Sequence, residues 1–178
     1  MRIISGSHKG RTILPDKNFS ARPTTDFAKE GLFGILSSRL DLESMEVLDL
    51  FSGTGGISYE FASRGCPLIH AVEQNPLHAA FISKTKEKLG FSTLQVYRSD
   101  VYRFILAARH SYSLIFADPP FNMPDIAALP DLILRSPILA LQGIFVLEHG
   151  KKIHFLDHEN LIDARNYGSV HFSFFKKV

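Results

Sequence analysis

Four carboxylates recur along the middle of the chain, each at or just past the end of a short apolar run. Asp49 lies in Val47-Leu48-Asp49-Leu50-Phe51, Glu73 follows Leu68 to Val72, Asp100 comes just after Leu94 to Tyr97, and Asp118 follows Tyr112 to Ala117. Any one of them could be a helix cap or a solvated surface acid. Together they make a set of hydrogen-bond acceptors with negative charge, suited to a ligand that presents hydroxyls, amines and positive charge. Between the first two lies Ser52-Gly53-Thr54-Gly55-Gly56, whose glycines let the backbone turn tightly and approach a ligand without a Cβ clash. The spacing is not G-x-G-x-x-G, which would offer helix N-terminal amides to a pyrophosphate, and no Gly-Lys-Ser/Thr follows as in a P-loop. A carboxylate shortly before the first glycine opposes a diphosphate and favours a cation. Glu73, roughly 20 residues beyond the loop, stands where a carboxylate grips vicinal ribose hydroxyls. Asp100, helped by the backbone amide of Val101, can accept from an adenine amino group. The implied ligand is an adenosine without phosphates, carrying an amino-acid tail.

Asp118-Pro119-Pro120-Phe121 suits a different task. An exocyclic nitrogen on an aromatic ring is a poor nucleophile because its lone pair is delocalised. A carboxylate at Asp118 and the carbonyl of Pro119 could accept its two N–H groups and orient it for in-line attack. Pro120 has no N–H and stiffens the turn, and Phe121 offers a face on which a base can stack.

The elements that must position these groups alternate in type. Short apolar strands are expected at Val47–Phe51, Leu68–Val72, Leu94–Tyr97, Tyr112–Ala117 and Ile144–Leu147. Helices are expected at Ile57–Arg64, Pro76–Leu89, Val101–Ala108 and Pro130–Leu141. Fully apolar strands alternating with helices require a mostly parallel sheet covered on both faces, and ligands of such sheets bind outside the strands' carboxyl ends. Leu161–Tyr167 and Ser169–Phe175, flanking Gly168, read as a closing antiparallel hairpin. Upstream, Arg2-Ile3-Ile4 and Arg11 to Leu14 flank a polar, Gly-bearing connection and read as a small hairpin. An amphipathic helix over Asp26–Leu40 follows, with Phe27, Leu32, Phe33, Ile35 and Leu36 on its apolar side and Thr24 or Thr25 as cap.

The 178 residues suffice for one domain with a sizeable core. A single cysteine excludes an intramolecular disulfide framework and a cysteine-based zinc cage, and Cys66 reads as core. The histidines show no metal-ligand spacing, so no metal is expected, and His149 alone is expected near the site. No apolar run reaches the ~18 residues of a membrane span and no signal-peptide pattern opens the chain, so a soluble cytoplasmic protein is expected. The net charge of +2 divides unevenly. Arg2, Lys9, Arg11, Lys17 and Arg22 face Asp16 alone before Thr25, so the first 24 residues carry +4 and the remainder −2. A basic arm on a slightly acidic body suits a polyanion, although a solvated terminus would look the same.

The order D-x-F-x-G-x-G, strand-end Glu, Asp, then D-P-P-F resembles a class I S-adenosylmethionine-dependent methyltransferase, a Rossmann-like α/β fold with a mostly parallel seven-stranded sheet. D-P-P-F is similar to the signature of enzymes that methylate planar amino nitrogens. It occurs in guanine-N2 and adenine-N6 methyltransferases, and an N-P-P-Y variant serves glutamine side chains. Arg2 to Gly6 (R-I-I-x-G), Lys9 to Arg11 (K-G-R) and Arg22 to Phe33 (R-P-T-T-D-x-x-K-E-x-L-F) resemble the RsmD family, which methylates guanine N2 in bacterial 16S ribosomal RNA.

The resemblance implies a cofactor site of Asp49, Phe51, Ser52, Gly53, Thr54, Gly55, Glu73, Gln74, Asp100, Val101 and Asp118, holding S-adenosylmethionine and releasing S-adenosylhomocysteine. It implies a catalytic turn of Asp118, Pro119, Pro120 and Phe121. It further implies RNA contacts at Arg2, Lys9, Arg11, Arg22, Thr24 and Lys29, and direct transfer to a flipped-out base. The expected organisation is an RNA-contacting arm over residues 1–24 and a methyltransferase domain over 25–178. The expected partner is 16S ribosomal RNA in an assembling small subunit, met by a monomer. Phe27 stands where the family usually has a basic residue, and Thr54 and Gly56 stand where it often has Ala or Ser. A non-catalytic RNA-binding module on the same scaffold is the rival outside the enzyme class.

Overall fold

The computed structural model describes residues 1–15 and 25–178. Arg22 and Thr24, expected to contact RNA, lie outside the described residues. The main body alternates as its apolar runs predict: β1 (Glu46–Leu50), α2 (Gly56–Ser63), β2 (Leu68–Glu73), α3 (Pro76–Leu89), β3 (Leu94–Arg98), α4 (Val101–Ala107), β4 (Tyr112–Ala117), α5 (Leu129–Arg135) and β5 (Leu139–His149). α1 (Asp26–Arg39) precedes them, and the antiparallel strands β6 (Leu161–Tyr167) and β7 (Val170–Lys176) close the chain.

The seven strands form one sheet in the order β3-β2-β1-β4-β5-β7-β6. The first five are parallel, and β7 pairs antiparallel with both β5 and β6. The chain leaves β1 toward β2 and β3 on one side and returns to β4 and β5 on the other. The β1–β4 boundary is therefore the switch point, where the loops after neighbouring strands diverge and leave a crevice. This is a Rossmann-like class I fold.

Each face of the sheet has its own core. One face packs Leu32, Phe33 and Leu36 of α1, Tyr59 and Phe61 of α2 and Ile82 of α3 against Phe116, Val146, Phe172 and Phe174. The other packs Val101 and Ile105 of α4 and Ile133 and Leu134 of α5 against Ile115, Phe145, Leu147 and Phe175. Cys66 is fully buried, and burial pushes its thiol up to about 12, which leaves it inert.

The N-terminal segments pair as a short antiparallel ladder. The Ile3 N–H donates to the Arg11 carbonyl and the Ile13 N–H to the Met1 carbonyl, with Arg2 bridged to Thr12. Ile3 and Ile13 are buried in the first core, so the arm is packed onto the sheet layer. α2 fastens it. Glu60, fully buried, accepts the N–H groups of Ile4 (2.8 Å) and Ser5 (3.0 Å) and the Nε of Arg64 (2.9 Å).

Three expectations change. The helix expected over Pro130–Leu141 ends at Arg135, because Pro137 cannot continue it, and Leu139 already belongs to β5. β5 carries a bulge: between Tyr112 and Leu114 of β4, its own register advances from Leu139 to Ile144, and Gln142 turns to φ 62. Phe27, expected on the apolar side of α1, is exposed and meets Tyr167 edge-on, while Ala28 and Lys29 face inward. Thr25 provides the cap, accepting the Ala28 N–H.

Candidate active site

Above the switch point, the loops after β1, β2, β3 and β4 surround a cavity of about 680 Å3, within the size range of small-ligand sites. Asp49 reaches it from within β1, buried and accepting a hydrogen bond from the Ser58 hydroxyl at the start of α2. The glycine loop leaves β1 through Phe51 at φ 59, a conformation that costs a non-glycine residue about 1–3 kcal/mol and is retained mainly where function fixes it. Gly55 closes the loop at φ 83. A Cβ there would stand 2.7 Å from the Tyr59 ring, so both backbone and packing demand glycine.

Glu73, at the end of β2, holds this loop open-ended toward the cavity. One of its oxygens accepts the Gly53 N–H (2.8 Å) and the other the Asn75 N–H (2.7 Å). A carboxylate has about four lone-pair positions, so acceptor capacity remains for ribose hydroxyls. Asp100 caps α4 by accepting the Arg103 N–H (3.0 Å), and Val101 follows it into the wall. Asp118 emerges from β4 next to β1. Met123 N–H donates to the Pro120 carbonyl (2.8 Å) and closes the turn that presents Phe121, whose ring is largely exposed beside Gly150.

Every residue singled out for cofactor binding or catalysis lines this cavity except Gly55, which shapes the loop from behind. Among the described residues, the RNA set does not form one surface. Lys9 and Arg11 are exposed on the arm. Arg2 is half-exposed, facing Asp26 (3.4 Å) and Glu30 (3.7 Å). Lys29, expected among the RNA contacts, sits in the first turn of α1. It borders the cavity but is 2% exposed, its Nζ donates to the Arg2 carbonyl and lies 4.0 Å from Glu60, and burial lowers its pKa. Its charge is spent fastening the arm.

His149 also departs from expectation. It is buried at the end of β5, with Nε2 2.8 Å from the Ser173 hydroxyl, and is absent from the cavity wall. Met1, Gly56, Ile57, Asn75, His78, Tyr102, Phe116 and Met123 complete the wall and are not among the site residues the sequence points to. Asn75 and Tyr102 lie one residue beyond Gln74 and Val101, so extending the strand-end rule by one position would have reached them. Met1 had no signal, because it arrives only when the arm folds over α2.

The cavity is short of positive charge. Burial, with Asp118 and Glu73 nearby, pushes Asp49 up to about 7 despite the Ser58 hydrogen bond. Burial, with Glu148 beside it across β4 and β5, pushes Asp118 well above the usual carboxylate range. A cationic ligand would relieve both. The donor set, acceptors at four strand ends around a glycine loop, fits an adenosyl sulfonium with an ammonium-bearing tail. Among the described residues, no group of His, Cys, Asp and Glu is placed to hold a metal ion, and no helix is long and apolar enough to cross a membrane.

Comparison with known proteins agrees with this geometry. A Bacillus subtilis (strain 168) protein, YlbH, whose name proposes an rRNA methyltransferase, is 34% identical over 86% of this chain and 84% of its own. Ribosomal RNA small subunit methyltransferase D of Buchnera aphidicola subsp. Baizongia pistaciae (strain Bp) is 25% identical over all of this chain and 92% of its own. The solved structure of a hypothetical protein from Thermus thermophilus superposes with a TM-score of 0.86 at 27% identity, covering 98% of both chains. The family model described as Conserved hypothetical protein 95 matches residues 1–176, and with these relatives it establishes that the chain belongs to the RsmD family.

Proposed function

We propose that this protein transfers a methyl group from S-adenosylmethionine to the exocyclic N2 of a guanine in 16S ribosomal RNA. The observation that carries the reading is that the Asp118–Phe121 turn and the strand-end carboxylates open onto one cavity. The relatives' names support ribosomal RNA as the substrate class. The cofactor supplies a methyl group activated by attachment to a sulfonium. Asp49 balances its positive charge, Glu73 accepts from its ribose hydroxyls, and Asp100 with the Val101 amide meets its adenine.

The remaining work belongs to the turn. The Asp118 carboxylate and the Pro119 carbonyl accept the two N–H groups of the target amine and hold its nitrogen toward the methyl group. Phe121 stacks on the base, which must leave its RNA stack to enter; a loop or bulge makes that inexpensive. In that transfer the new N–C bond would replace the methyl carbon–sulfur bond, S-adenosylhomocysteine would leave as the neutral thioether, and the nitrogen would lose one proton. Asp118, whose proton affinity is raised by burial, is placed to take it. The substrate is a small subunit under assembly, which leaves the target guanine reachable, and the protein acts on it as a cytoplasmic monomer, the arm of residues 1–24 contacting RNA beside a methyltransferase domain of residues 25–178.

Incubation with methyl-labelled cofactor and small-subunit RNA from a strain lacking the gene, followed by nucleoside mass spectrometry, tests the reading. N2-methylguanosine is expected. N6-methyladenosine would move the target to adenine, and cofactor binding without any transfer would leave an RNA-binding module.

A further inference from the structure

A second hollow of about 710 Å3 lies between Arg11–Leu14 of the arm and the outer face of α3. Its charged lining residues are Arg11, Lys84 and Lys88, and no carboxylate faces it among the described residues. None of the three cations has an ion-pair partner among those residues. Lys84 and Lys88 stand four residues apart on one helix face, where like charges repel and weaken the helix. Lys86, between them, points elsewhere and donates to the Leu94 carbonyl (2.7 Å). Leu14 and Leu77 give the hollow an exposed apolar floor, 80% and 70% accessible. Asn75 and His78 line this hollow and the cofactor cavity alike, so the two adjoin at the N-terminus of α3.

We propose that this groove is a track for a single-stranded segment of the substrate RNA, with Arg11, Lys84 and Lys88 on its phosphates and Leu14 and Leu77 beneath its sugars and bases. A cationic rim over an apolar floor is the combination single strands need: screened phosphates and a dry face for the bases. The inference rests on RNA being the substrate. It extends the RNA surface from the arm onto α3, where it meets the edge of the cofactor cavity. An acidic protein segment is the other polyanion such a rim could hold, but it offers no bases to the leucine floor.

The test is fluorescence anisotropy of a labelled oligouridylate of about 12 nucleotides, a length suited to one such site. Binding is followed from about 50 to about 200 mM salt for wild type, Lys84→Ala/Lys88→Ala and Lys84→Arg/Lys88→Arg. The alanine variant is expected to bind about tenfold more weakly at low salt. The slope of log K against log salt should shrink in magnitude by about 1.4, the loss of two phosphate contacts on a single strand. The arginine variant should retain both. S-adenosylhomocysteine binding should be unchanged in all three, which shows that the fold and the neighbouring cavity survive.

An unchanged affinity and slope in the alanine variant would overturn the proposal. So would a labelled polyglutamate, followed by the same anisotropy assay, that binds wild type and is lost in the alanine variant while RNA binding stays intact, which would assign the groove to a protein partner. If wild type itself neither binds RNA nor methylates it, the functional reading fails. If wild type does both and the alanine variant matches it, only the groove fails.

Discussion

Two buried carboxylates lie on either side of α2 and live in opposite conditions. Glu60, on the helix, is fully buried, yet two backbone N–H groups and Arg64 donate to it and Lys29 stands 4.0 Å away. Asp49, in β1, is as deeply buried, but among the described residues Ser58 alone donates to it, through its hydroxyl and its backbone N–H, no cation stands beside it, and two further carboxylates crowd it. The first arrangement is complete: every charge has a protein counterpart, and removing one member leaves the others stranded. The second lacks its cation, and a buried acid without one holds its proton to about pH 7. Burial therefore does not tell a structural acid from a ligand-binding one. The inventory of donors does.

Substitutions can pull the two regions apart. The largest effect is expected at the reactive end of the incomplete region. Asp118→Ala should lower kcat by about 10²- to 10⁴-fold in a methyl-transfer assay, while calorimetry shows cofactor affinity changed only a few-fold. Next comes the complete region: Glu60→Ala should destabilise the fold by about 3–5 kcal/mol in urea unfolding, since it strands a buried Lys29 and two backbone N–H groups. A change under 1 kcal/mol would mean that the arm is fastened elsewhere.

The same kind of substitution should act in the opposite direction at Asp49. Asp49→Asn keeps an oxygen for Ser58 and removes a carboxyl whose folded pKa, about 7, is far above its unfolded value. A raised acid pKa means that the folded state holds more protons than the unfolded one between about pH 4 and 7, so wild-type stability without ligand declines as pH rises through that window. The asparagine variant should escape this decline and gain about 1–3 kcal/mol at neutral pH, yet bind the cofactor at least tenfold more weakly. Equal stability across the window for both proteins would remove the basis of the comparison.

Much of this was legible in the chain. The four acids stand out because parallel strands are continuous apolar runs, so an acid within the last residues of such a run or just past it marks the sheet edge where ligands bind. Phe172, Phe174 and Phe175, in the second strand of the expected closing hairpin, are core. The glycine loop and D-P-P-F were visible for the same reason: their chemistry is local. What escaped notice depends on partners distant in sequence. The burial of Lys29 has no mark in the sequence, because nothing near it announces Glu60, 31 positions on, or the folded arm. Leu139 looked helical because an apolar residue after a short helix carries no mark of the strand it enters. His149 stood two residues past an expected strand that in fact continues to include it.

The central claim, that the cavity's unpaired acids await a cationic adenosyl ligand, is tested most directly by calorimetry of S-adenosylmethionine between about pH 5.5 and 7, below the ligand's own amino pKa of roughly 7.7–8.0. Binding a cation must drive a proton off Asp49 whenever the empty site holds one. Affinity should therefore rise by up to about tenfold per pH unit toward 7, and the heat should vary with the buffer's ionisation enthalpy as protons are released. A dissociation constant independent of pH, with no proton released, would contradict the account.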